Sequence, residues 1–333
     1  MRLGLQLQAG VVAALIVGAL PFSGQAATTT PTAQAPQRLT GSLMVDAVRA
    51  GNRLVAVGNR GQIVYSDDQG QRWQQADAPA GPLLTAVYFV DQTHGWAVGH
   101  DARILATYDG GSTWALQFSD PKREAPLLDV WFENPQRGFA VGAYGALLGT
   151  VDGGEHWEDV SGRIDNPDNY HYNGIASVNG AGLFVVGEAG SVFRSGDQGL
   201  TWQTLASPGP GSLFGVIGTG RPGTLLTFGL RGSVFRSSDA GSTWQRVDVQ
   251  SDRGPLNATL SGATALADGT LLIVGSAGTV LRSQDGGQHF SVIDRPDRLG
   301  LAAVAERDTA SLVLVGQGGV HLASATGVEA RQP

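Results

Sequence analysis

Short apolar runs alternate with turn residues along most of the chain. Leu83 to Val90, LLTAVYFV, is apolar and closed by the turn Asp91 to Gly95. Trp96 to Gly99 and Arg103 to Thr107 follow, separated only by His100 to Ala102. Asp109 to Gly111 then turns the chain into a last run, Thr113 to Phe118. The runs are short, the turn signals are closely spaced, and no stretch keeps a helical period. The pattern predicts four antiparallel strands in a unit of about 40 residues, the plan of a β-propeller blade.

The unit repeats. Its first glycines are Gly58, Gly99, Gly142, Gly187, Gly229, Gly275 and Gly316. Six units carry the signature [ST]-x-D-x-G-x-x-[WF] between their third and fourth strands. The aspartates are Asp68, Asp109, Asp152, Asp197, Asp239 and Asp285; the aromatics are Trp73, Trp114, Trp157, Trp202, Trp244 and Phe290. An aspartate at a hairpin can accept hydrogen bonds from N–H groups of its own turn. The glycine two residues on can take positive φ. The aromatic then opens the outer strand and covers the neighbouring sheet. One aspartate per blade at the same hairpin predicts a structural role and not a calcium loop, which needs several closely spaced oxygen ligands.

With these residues, Leu43 to Ser324 resembles the Asp-box, or bacterial neuraminidase, repeat, and in particular the photosystem II stability/assembly factor-like group. The resemblance implies a role in assembly or stability of a membrane complex. Sialidases, sortilin-type receptors and plant-cell-wall hydrolases also carry the Asp-box, so the fold does not fix the function.

The expected fold is all-β: a seven-bladed propeller of four-stranded antiparallel blades over residues 37–326, with 327–333 as a tail. The last unit has strands at Leu301 to Ala305, Ser311 to Val315 and Gly319 to Ser324, and no aromatic fourth strand. Gln37 to Ser42 is expected to supply that strand and close the ring, which would cover an open edge. Six blades plus a cap is the other count.

Composition sets the address. Residues 1–26 read as an export signal: Arg2, the apolar Gly10 to Leu20, and small residues before a cleavage point near Ala26. Residues 27–36, ATTTPTAQAP, read as a disordered linker. A periplasmic or secreted protein is expected. The chain has no cysteine, so neither a disulfide nor a lipid-anchored cysteine is available. A formal charge of −7 without a basic run argues against nucleic acid as a partner.

In a propeller the turns between second and third strands share a face with the loops between blades, and the Asp-box turns lie on the other. The first of these faces is expected to bind a partner. Its candidates are Arg60, Asp101, Tyr144, Glu188 and Arg231 in the short turns, Arg253 in a longer loop, and Asp168, Asn169, Tyr170, His171 and Tyr172 in the long loop 161–174. No catalytic residue, metal ligand or cofactor is expected. The six histidines are scattered without ligand spacing, and no pair of converging carboxylates is legible. The expected function is a non-catalytic, monomeric scaffold for a protein partner. An Asp-box glycoside hydrolase, or a lectin with a glycan ligand, stands as the alternative.

Overall fold

The computed structural model describes residues 40–328. Six four-stranded antiparallel sheets and one three-stranded sheet follow one another along the chain, each with its strands in sequence order. The second blade comprises Leu84–Phe89, Gly95–Gly99, Arg103–Thr107 and Ala115–Phe118, close to the runs read from the sequence. The inner strands of the other blades are Met44–Ala50, Leu127–Phe132, Tyr172–Val178, Leu213–Gly218, Leu260–Ala265 and Leu301–Asp308. The seven-bladed count holds.

Each blade is too thin to hold a core of its own, and the apolar residues gather between blades. Seven buried clusters result, one for each neighbouring pair. Between blades two and three, Trp96 stacks on Phe132 at 3.4 Å between ring centroids, and Trp157 meets Phe132 edge-on at 5.8 Å. Met44, Leu54 and Ala56 of blade one pack with Ala303, Val313 and Val315 of blade seven. This contact closes the ring through its core. Half of the proposed closing strand, residues 37–39, falls outside the described residues. Of the rest, Thr40 accepts a hydrogen bond from Val320 N–H at 3.0 Å, at the free edge of blade seven. At the other end Ser324 N–H donates to Val328 O at 2.8 Å, so the first tail residues fold back on the last strand. The expected export signal and linker, residues 1–36, lie outside the described residues.

The repeat glycine has a steric cause. In the second blade Gly99 lies opposite Leu84, beside an irregularity in the inner strand. A Cβ on Gly99 would collide with the Leu83 carbonyl, and Gly142 and Gly187 meet Pro126 and His171 carbonyls in the same way. Only glycine permits that approach.

A hairpin absent from the sequence reading, Gln250–Ser251 with Gly254–Pro255, rises from the loop between blades five and six.

Candidate functional site

The six aspartate turns are built alike. In each, the serine or threonine two residues before the aspartate is buried. Its hydroxyl donates to Asp Oδ1 at 2.7–2.9 Å. The same oxygen accepts the N–H of the glycine two residues after the aspartate at 2.8–3.0 Å. Those glycines have φ between 78° and 90°. Oδ1 also accepts the backbone N–H four residues on, and Oδ2 accepts that residue's side chain, as with Thr201 at 2.9 and 2.6 Å. The Thr201 and Thr243 hydroxyls, with the backbone N–H bonds behind them, hold the Asp197 and Asp239 carboxyls down at about 2. Every oxygen of these carboxylates is engaged in its own hairpin.

Asp152, Glu155 and His156 at the third turn have potential ligand atoms within 4.8 Å of one another. Asp152 already accepts from Thr150 and His156, and Glu155 and His156 are exposed. This arrangement serves the turn.

All seven inner strands line an axial channel of about 670 Å³. Its walls are mostly Ala, Gly, Val and Thr, broken by Asp46 and Asp129, which occupy the same register position in blades one and three. Asp46 accepts Ala47 N–H at 2.8 Å and, across the blade boundary, Val87 N–H at 2.9 Å. Asp129 repeats this with Val130 and Ile175, both at 2.8 Å. Burial pushes both carboxyls up to about 7, against the pull of those N–H groups, and the Asp129 charge adds to the rise at Asp46. These residues were missed in the sequence reading, although a single polar position inside LMVDAV and LLDVWF was a signal.

The loop face gathers some of its expected residues and not others. Tyr144 stands in the turn 143–145 and is 62% exposed. His171 meets its ring edge-on at 4.8 Å. His171 N–H donates to Glu188 Oε2 at 2.9 Å, and its Nδ1 lies 3.8 Å from Oε1. Asn166 clamps Tyr170 by donating to its carbonyl at 2.9 Å and accepting its N–H at 3.0 Å. The Asp168 charge, with a hydrogen bond, holds the Tyr170 hydroxyl above its usual range. Asp168 and Asn169 are exposed beside it. Arg60, Asp101 and Arg231 occupy exposed turn positions in blades one, two and five, and Arg253 the tip of the extra hairpin. Asp101 borders the cluster from blade two, and Arg60, Arg231 and Arg253 belong to other sectors.

Tyr172 requires a correction. It opens the inner strand of blade four, is fully buried, and packs edge-on against Phe193 at 5.5 Å. Burial pushes its hydroxyl up to about 12, with Asn166 opposing. Its register matches Leu84 and Leu127, each opposite a repeat glycine, so it is a core residue.

Comparison with known proteins adds the family. A family model described as photosynthesis system II assembly factor YCF48 matches residues 71–125 and 118–264, more than half of the chain. The photosystem II assembly protein Ycf48 of Thermosynechococcus vestitus is 38% identical over 42 residues, 13% of this chain. The photosystem II stability/assembly factor HCF136 of Cyanidioschyzon merolae, chloroplastic, is 39% identical over 62 residues, 18% of this chain. In these alignments the chain spans only 12% and 14% of the length of the curated relatives it matches. A solved structure of YCF48 bound to D1 peptide superposes with a TM-score of 0.65 at 18% identity, over 85% of this chain and 93% of that one. The sequence match across the middle blades and the superposition of the folds agree, and the chain belongs to the photosynthesis system II assembly factor YCF48 family.

Proposed function

We propose that this chain is an exported, non-catalytic scaffold that binds a protein partner in the assembly or stability of a membrane or envelope complex. Family membership supports the assembly role. The observation that carries the scaffold reading is the complete use of the six repeat aspartates inside their own turns, which leaves partner contact to the loop face. A relative of the same fold is solved with a peptide of D1; a segment of a membrane protein is the partner class we assign here. The composition of residues 1–26, which reads as an export signal, supports an encounter outside the cytoplasm.

The hydrolase alternative has one observation in its favour, the pair of channel carboxylates that titrate near neutrality. Both hold backbone N–H groups of the next blade, which is a structural use.

The test is affinity capture from detergent-solubilised membranes, with the captured chains identified by mass spectrometry, and cell fractionation of the bait. The expected result is a bait in the extracytoplasmic fraction with subunits of one membrane complex. A cytoplasmic bait, or release of sugar from polysaccharide that Asp46→Asn and Asp129→Asn abolish, would overturn the proposal.

A further inference from the structure

The loop face is not uniform in charge. Around blades two to four its exposed carboxylates are Asp101, Glu124, Asp165 and Asp168, with half-buried Glu188. The loop from Ile164 to Asn173 contains no lysine or arginine. Lys122 and Arg163 are the exposed cations nearest in sequence, and Arg163 donates to the Gly199 carbonyl at 3.1 Å. The aromatic cluster sits inside this negative sector. Tyr144 presents most of its ring to solvent, propped edge-on by His171. Glu188 fixes His171 from behind.

An exposed aromatic face carries the negative side of its quadrupole outward and attracts a cation. Carboxylates beside it strengthen that attraction and repel an acidic segment. The cluster is pre-formed, so docking requires little ordering on this side.

We propose that the sector over blades three and four docks a cationic segment of the partner, with a lysine or arginine seated on the Tyr144 ring and neutralised by Asp168 and Glu188. The inference rests on the scaffold reading above and adds the chemistry of the partner. It sets this sector apart from blades five to seven, where exposed Arg231, Arg253 and Arg298 are matched by exposed Asp248, Asp252 and Asp294.

The test uses two short fluorescein-labelled peptides, alike except that lysines in one are glutamates in the other, followed by fluorescence anisotropy on the full protein. The lysine peptide is expected to bind about tenfold tighter, and the difference to shrink at high salt. Tyr144→Ala and Asp168→Asn should each weaken it by about three- to tenfold with an unchanged melting temperature. Tyr144→Phe should keep wild-type binding, because the ring remains. Equal binding of the two peptides, preference for glutamate, or indifference to Tyr144→Ala would overturn the inference. If that happens while a membrane partner is still captured, the scaffold reading stands and only the cationic segment falls. If the lysine preference appears and no partner is captured, the sector's chemistry stands and the scaffold reading falls.

Discussion

Asp46 and Asp129 illustrate what one residue does at a blade boundary. A carboxylate on the inner strand reaches the backbone N–H of the next blade and ties the two strands across the channel wall. The cost is burial. Their carboxyls stand at about 7 in the folded protein against 3.8 when free. The folded state therefore holds more protons than the unfolded chain between these values, so their contribution to stability is full below 3.8 and is lost as pH rises through 7. The turn aspartates have the opposite sign, with contributions lost only as pH falls below 3.8. His156, raised by Asp152, acts in the same direction as the channel pair. The melting temperature of the wild type is expected to fall between about pH 4 and about pH 7. The Asp46→Asn/Asp129→Asn variant, which cannot titrate there, should show a distinctly flatter profile by calorimetry. Identical slopes would remove these two carboxyls from the account. Tyr172 shows the other limit of reading residues singly. In YHYN it resembles a loop aromatic, and only its pairing with Gly187 places it with Met44, Leu84 and Leu127 among the core residues that face a repeat glycine.

At the scale of the element, the aspartate turn was the most legible feature of the chain because its chemistry is local. Serine or threonine, aspartate, glycine and aromatic lie within one hairpin, and each satisfies a backbone group of that hairpin. The sequence reading had the aspartate and glycine roles. It did not have the buried hydroxyl that joins them. Ser195 donates to Asp197 at 2.8 Å and accepts Gly199 N–H at 2.8 Å. Ser195→Ala removes both bonds and leaves a buried N–H without its acceptor, a loss expected to cost about 1–3 kcal/mol in denaturant unfolding. Partner capture by the folded variant should be unchanged. A cost within a few tenths of a kcal/mol would mean that the aspartate holds the turn alone. The hairpin at 250–255 was not legible, because VQSDRGPLN has neither a run of apolar residues nor alternation.

At the scale of the molecule, the period of forty-odd residues specified the ring, because a blade can bury its apolar faces only against its neighbours. Seven boundary clusters follow, including the one that joins blade seven to blade one. Function was less legible, since the repeat encodes the scaffold and partner contact belongs to the unrepeated residues. Loop 161–174 was found because it departs from the repeat. The negative sector over blades two to four appears only once the blades are arranged in a circle. The most direct test is hydrogen–deuterium exchange of the protein with and without its captured partner. Protection is predicted in residues 143–145, 165–171 and 188–190, with the six aspartate turns unchanged. Protection confined to the aspartate turns or to the inner strands of the channel would contradict the account.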